Sequence, residues 1–149
     1  MRLRSPKTTF TIKTACRVIA IDSSALAAIL QNEPDALLFA EAIGAAEAIV
    51  VSAVTFFETS MVLAGRVQDE TAWGLLDALI GRAKIEIVPF DAGQAAIARA
   101  AFQKYGKGRH PAALNFGDCA SYALAKSKGA APLLYKGADF AKTDIISAL

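Results

Sequence analysis

The chain has one histidine, His110, and two cysteines, Cys16 and Cys119. A single imidazole argues against a histidine-based metal site and against a Ser-His-Asp triad. Two thiols so far apart in sequence supply neither a disulfide framework nor a zinc site, and they read as reduced thiols. Long apolar runs are missing too. The longest uncharged stretches, 23–32 and 48–57, are ten residues each, whereas a membrane-spanning helix needs about 20 apolar residues. No membrane association is expected. The start is basic (Arg2, Arg4, Lys7), but no apolar run of signal-peptide length follows it, so a cytoplasmic location is expected. Internal repeats, low-complexity segments and interdomain linkers are also lacking.

What is present suits one globular domain. The 149 residues are 54% hydrophobic and 20% charged, enough to build a sizeable core. Alanine is abundant and favours helix. The net charge of +2 is uninformative, but its distribution is not. Residues 1–17 carry five basic side chains and no acid, and residues 99–149 carry eight basic side chains with only three acids, Asp118, Asp139 and Asp144. The stretch between them is predominantly acidic. A basic C-terminal third either attracts an anionic polymer or is an ordinary solvated face. Residues 1–16 read as a polar, basic tail and 17–149 as the domain.

Four short runs rich in Val, Ile and Leu, at 18–21, 48–51, 85–88 and 132–135, read as buried strands without clean alternation, as expected when both faces of a sheet are covered. A weaker fifth run covers 145–148. Helical periodicity fills 23–30, 34–43, 54–65, 70–82, 93–105 and 118–128. Strands alternating with helices predict an α/β fold with a central parallel sheet of four to five strands. The main irregular loop, 106–117, carries three glycines, a proline and several basic residues.

In open α/β sheets, sites form beyond the carboxyl ends of the strands. Asp22 follows the first strand directly. Glu58 falls one or two turns into the helix after the second, and its neighbours Phe56, Phe57 and Met61 are expected to face the core. Asp118 opens a helix after Asn115-Phe116-Gly117, and Asp139 lies just past the fourth strand. Each acid alone has a structural explanation: a helix-start acid for Asp22 and Asp118, an exposed helix face for Glu58, a turn residue for Asp139. Four acids at one edge point to a joint role. Clustered carboxylates repel unless a cation neutralises them. Mg2+ or Mn2+ suits such oxygen ligands and can activate a water for attack on a phosphodiester.

The segments Ile19-Ala20-Ile21-Asp22-Ser23-Ser24-Ala25-Leu26, Ser52-Ala53-Val54 through Phe57-Glu58, Leu114-Asn115-Phe116-Gly117-Asp118-Cys119 with Tyr122-Ala123-Leu124-Ala125, and Leu133-Leu134-Tyr135-Lys136-Gly137-Ala138-Asp139-Phe140 through Thr143-Asp144-Ile145 follow one another in order. This series resembles the PIN-domain family, and within it the VapC-type toxins of bacterial toxin–antitoxin pairs, over roughly residues 18–146. The resemblance implies a three-layer α/β/α sandwich and RNA cleavage at a Mg2+ or Mn2+ site. Asp22, Glu58 and Asp118 would be its main ligands, and Asp139 would hold a second metal or an ordered water. It makes Ser23 a candidate for orienting Asp22, and Asn115 one for supporting the site, with helix capping and turn formation as the alternatives. Thr143 and Asp144 match the family's segment, with a turn or helix cap as the alternative. It implies a cognate antitoxin and a toxin homodimer, for which exposed helix surface around residues 33–80 is the candidate face. In this family the first strand usually starts within a few residues of the initiator Met, whereas sixteen residues precede Arg17 here. A cloning artefact, a start-site choice and an RNA-binding arm are the three alternatives for them.

The loop before Asp118 adds Lys104, Lys107 and Arg109 as candidate phosphate contacts, and Tyr105 or His110 as rings to stack on an unpaired base. A solvated loop is the alternative. Three other readings compete with a nuclease. A phosphoryl-accepting receiver wants an acidic pair after the first strand, but Ser23 and Ser24 follow Asp22. A haloacid-type phosphatase wants an acid where Ser24 stands. A catalytically inactive PIN fold that binds RNA or protein is the third.

Overall fold

The structure, a computed structural model, describes residues 17–66 and 71–149. The basic tail at 1–16, and Cys16 with it, lies outside the described residues.

The expected strands form β1 (Val18–Ile21), β2 (Ala48–Ser52), β3 (Glu86–Val88) and β4 (Leu133–Leu134). They make one parallel sheet in the order β3-β2-β1-β4. The helices are α1 (Ser23–Leu30), α2 (Ala36–Ala45), α3 (Ala53–Arg66), α4 (Thr71–Arg82), α5 (Ala92–Tyr105) and α6 (Phe116–Ser127), followed by a 3-10 turn at Phe140–Lys142. None of the described helices is long and apolar enough to cross a membrane.

Side chains alternate across a strand, so each strand feeds two cores. Ala20, Val50, Val88 and Leu133 point to one face and pack with Tyr105, Leu124 and Ala125 of α5 and α6. Ile19, Ile21, Ile49, Val51 and Leu134 point to the other and pack with Leu26, Phe39 and Ile43 of α1 and α2. Both faces are covered, which explains why the strand runs are apolar without alternation. A third, smaller cluster (Leu63, Ala72, Leu76, with Leu30 and Phe56 against it) docks α3 and α4 beside α1.

Two expectations are corrected. The run at 145–148 is not a full strand. It contributes a single bridge, Leu133 to Ser147, because only the Leu133 backbone pairs with it, through Ile146 and Ala148. Phe57 and Met61 do not face the core; they are 64% and 55% exposed. The inward stripe of α3 is Thr55, Thr59 and Leu63, spaced four residues apart, and that spacing rotates Phe57 and Met61 outward.

Candidate active site

Asp22 continues β1 by one residue, its N–H donating to the Leu134 carbonyl at 2.9 Å. It is also the N-cap of α1, and it is 2% exposed. Both carboxylate oxygens are held. Oδ2 accepts from the Ser24 backbone N–H at 3.1 Å and from the Ser24 hydroxyl at 2.6 Å. Oδ1 accepts from the Ser121 hydroxyl at 2.6 Å. Buried carboxylates need such donors. Ser24, not Ser23, therefore orients Asp22, and Ser121 joins it from α6. The Lys136 N–H in turn donates to the Ser24 hydroxyl at 3.0 Å.

Glu58 projects from the second turn of α3 and is half-buried. Its Oε2 is buried and has no hydrogen-bond partner. Burial pushes its carboxyl above the usual range, and the Asp22 charge adds to this, while the Ser23 hydroxyl works in the opposite direction. The carboxylate rests against Gly117, where a Cβ would stand 2.6 Å from Cδ and closer still to both oxygens.

Asp118 occupies the first turn of α6. Asn115 caps that helix, its Oδ1 accepting from the Asp118 N–H at 2.9 Å. The Asp118 Oδ2 accepts from the Asn115 N–H in return, also at 2.9 Å. This reciprocal box fixes the carboxylate at the helix start. Burial pushes the Asp118 carboxyl up to about 6, against the Asn115 hydrogen bond, and the charges of Asp22, Glu58 and Asp139 raise it further. The four acids thus share one electrostatic environment. Asp139 is its outermost member: it is exposed, begins the 3-10 turn and makes no side-chain cap bond.

Thr143 and Asp144 are occupied elsewhere. The Thr143 hydroxyl donates to the Phe140 carbonyl at 2.6 Å and accepts from the Ile145 N–H at 3.1 Å, which closes the turn after residue 142. Asp144 accepts from the Tyr122 hydroxyl at 2.9 Å and pairs with Lys126 at 3.0 Å. Burial pushes its carboxyl up, but the Lys126 and Tyr122 hydrogen bonds outweigh that and hold it low.

The loop before α6 is partly corrected. Tyr105 is 6% exposed and packs its ring against His110 (centroids 5.1 Å apart) and Tyr122 (6.0 Å). It is core, so it is not a platform for a base. His110 is half-buried, and its Nδ1 accepts from the Ala112 N–H at 3.0 Å. Lys104, Lys107 and Arg109 are exposed. The Lys104 Nζ lies 4.9 Å from the centre of the Tyr105 ring, and the Arg109 guanidinium 5.6 Å from that of Phe102. Lys142 donates to the Pro111 carbonyl at 3.4 Å, tying this loop to the turn that begins at Asp139.

Among the described residues, no three acids already form a ready-made cation cage. The donor set nevertheless fits a hard divalent ion. It offers carboxylate oxygens only, and the buried, unpartnered Glu58 Oε2 faces the glycine that makes room for it. An orphaned buried oxygen is costly unless something else satisfies it.

Ser121, which holds Asp22, and Thr55, which pairs with Ser121, were not among the candidates read from the sequence. One signal was available: Thr55 stands three residues before Glu58, and Ser121 three after Asp118. Such spacing puts each hydroxyl on the same helix face as an acid.

The family model for the PIN domain matches residues 19–146. Ribonuclease VapC30 of Mycobacterium tuberculosis is 47% identical over 127 residues, covering 85% of this chain and 95% of that protein. Ribonuclease VapC of Mycolicibacterium smegmatis is 46% identical over 127 residues, covering 85% and 97%. Among solved structures, the Mycobacterium tuberculosis toxin VapC20, described as sarcin-ricin loop cleaving, superposes with a TM-score of 0.69 at 18% identity, covering 86% of this chain and 96% of that one. VapBC2 from Rickettsia felis, bound to a DNA fragment from its promoter, gives 0.65 at 16%, covering 87% and 96%. At that identity the structures speak to the fold alone. Sequence, sheet order and the acids at the sheet's carboxyl edge lead to one assignment: the chain belongs to the PIN-domain family.

Proposed function

We propose that this chain is the ribonuclease toxin of a toxin–antitoxin pair, cleaving RNA phosphodiesters at the site built by Asp22, Glu58, Asp118 and Asp139. The observation that carries the chemistry is the buried, unpartnered Glu58 Oε2, set against Gly117 in the helix that carries Asp118, beside an Asp118 carboxyl that burial and the charges of the other three acids push upward. Perturbed acids in one cluster mark functional sites. Assignment to RNA rests on the relatives above, which are named ribonucleases of the VapC type at 46–47% identity.

In this reading Asp22, Glu58 and Asp118 hold Mg2+ or Mn2+, and Asp139 assists from the rim. A bound divalent ion supplies positive charge beside the phosphodiester and makes a water molecule more acidic. The chain's own residues provide the rest. Asp22 is rigid, because three hydrogen bonds fix both its oxygens. Glu58 keeps one oxygen uncommitted for a ligand. Asn115 aims Asp118 through the helix cap. Lys107 and Arg109, with Lys104 behind them, hold backbone phosphates, contacts that position RNA without reading its bases.

An antitoxin partner and a homodimer belong to the same reading. Phe57, Met61, Trp73 and Leu75 are each at least half exposed on α3 and α4, which pack against each other. Large apolar side chains exposed on neighbouring helices mark interaction surfaces, and Phe57 adjoins Glu58. A cytoplasmic location goes with these partners.

The test is cleavage of a mixed RNA substrate with Mg2+ or Mn2+ by the wild type, Asp22→Asn and Asp118→Asn. Cleavage that depends on the ion and is lost in both variants is expected. Metal-dependent cleavage that survives both would place the site elsewhere. RNA binding with no turnover under any ion would instead favour a catalytically inactive member of the fold.

A further inference from the structure

Beneath the acids lies a chain of buried hydroxyls. Thr55 and Ser121 are fully buried, and their oxygens are 3.0 Å apart. Ser121 in turn donates to Asp22 Oδ1 at 2.6 Å, joining residues 99 positions apart. An ionised carboxylate only accepts, so the Ser121 proton is committed to Asp22. The Ser121 oxygen must then accept from the Thr55 hydroxyl. The chain runs one way: Thr55 to Ser121 to Asp22.

Its placement on the helices is regular. Thr55 is three residues from Glu58 on α3, and Ser121 three residues from Asp118 on α6. Residues three apart lie on one helix face. Each helix that carries an acid therefore carries a hydroxyl one turn deeper, and the two hydroxyls meet on Asp22. This is the polar link that joins α3, α6 and the end of β1 in the buried layer under the site.

We propose that Thr55 and Ser121 are positioning residues, a hydroxyl relay that sets where the Glu58 and Asp118 carboxylates stand around Asp22 and thereby sets the affinity of the site for a divalent cation. This rests on the metal-site reading above. Donors behind a metal ligand typically change affinity or activity by about 10–100-fold when removed. The relay also makes a specific demand: Thr55 acts only through Ser121, so the effects of losing each must not add.

The experiment is isothermal titration of Mn2+ into the full chain, with circular dichroism as a check on folding. Variants are Ser121→Ala, Thr55→Val, their double, and Ser121→Thr. Ser121→Ala should weaken Mn2+ binding by about 10-fold or more. Thr55→Val should weaken it less, the double should match Ser121→Ala alone, and Ser121→Thr should restore it. Unchanged binding in Ser121→Ala, or losses that add in the double, would overturn the relay. Should Ser121→Ala fail to fold, Ser121→Cys keeps the size with a weaker donor, and normal Mn2+ affinity there would equally overturn it. The two readings separate cleanly. Wild type and Asp118→Asn with equal Mn2+ affinity would sink the metal site and the relay with it. Binding lost in Asp118→Asn but normal in Ser121→Ala would sink the relay alone.

Discussion

The Gly117 backbone lies directly against the Glu58 carboxylate, so close that a Cβ at 117 would stand 2.6 Å from Glu58 Cδ and nearer still to both its oxygens. The contact is steric rather than conformational. Gly117 lies inside α6, and its backbone does not require glycine. The first turn of the helix that carries Asp118 thus has a gap shaped for the acid of α3.

Gly117→Ala should therefore push the Glu58 carboxylate aside while leaving the fold intact, since alanine is favoured over glycine in a helix by about 1 kcal/mol. Misplacing a reacting group by about an ångström costs up to about 100-fold. Cleavage should fall by 10- to 100-fold with an unchanged or raised melting temperature. Full activity in this variant would show that the gap is not needed.

The raised Asp118 carboxyl makes the metal-free protein sensitive to pH. Its folded pKa is about 6, against 3.8 for the free side chain, so between those values the native state holds a proton that the unfolded chain does not. Its contribution to stability is fully present below about 3.8 and is lost as pH rises through about 6. The raised Glu58 carboxyl acts in the same direction. In the presence of a chelator, the urea midpoint should therefore be higher at pH 5 than at pH 7.

Asp118→Asn removes the charge and keeps the side chain's size. It should raise the stability of the metal-free protein at pH 7 by on the order of 1 kcal/mol, once solvent screening is allowed for. It should also flatten the pH dependence. Cleavage should be lost in the same variant, a trade of activity for stability found at strained sites. A destabilised Asp118→Asn protein would mean that the helix cap, rather than charge repulsion, dominates at this position.

Asp144 provides a contrast, since its carboxylate is occupied by Tyr122 and Lys126. Asp144→Asn should cost about 1 kcal/mol of stability and leave cleavage within about twofold of wild type, on the scale of the small effects expected away from a site. Urea unfolding and a cleavage assay on the same preparation check both halves. A loss of activity as large as that of Asp118→Asn would move Asp144 into the metal site.

Replacing Lys107 and Arg109 together by glutamine should weaken RNA binding in a salt-dependent way. Two phosphate contacts on a single strand change the slope of log affinity against log salt by about 1.4. A filter-binding series over salt concentration measures that slope. Identical slopes for the variant and the wild type would return this loop to ordinary solvated surface.

Much of this molecule is legible without coordinates. Apolar runs bounded by turn residues locate all four strands, because strands covered on both faces need little else. The position of Asp22 at the end of one run and of Asp139 after another follows from the same reading, as does the cap that Asn115 makes for Asp118. These are local matters, decided within a few residues by periodicity and hydrogen bonding. The pairings that join distant segments are different. Nothing near Ser121 announces that its hydroxyl serves Asp22, 99 residues away, since a serine inside a helix has no required partner. Nothing around Tyr105 shows that Tyr122 and His110 enclose it, and the outward turn of Phe57 depends on which stripe of α3 the core selects. Those facts are decided by the sheet order, with β1 between β2 and β4, which brings the ends of α1, α3 and α6 to one edge. The residues themselves determined that this chain carries acids suited to a divalent ion. Only the packing of three helices around the end of one strand decided which hydroxyls hold those acids, which acid keeps a free oxygen, and which glycine makes room for it.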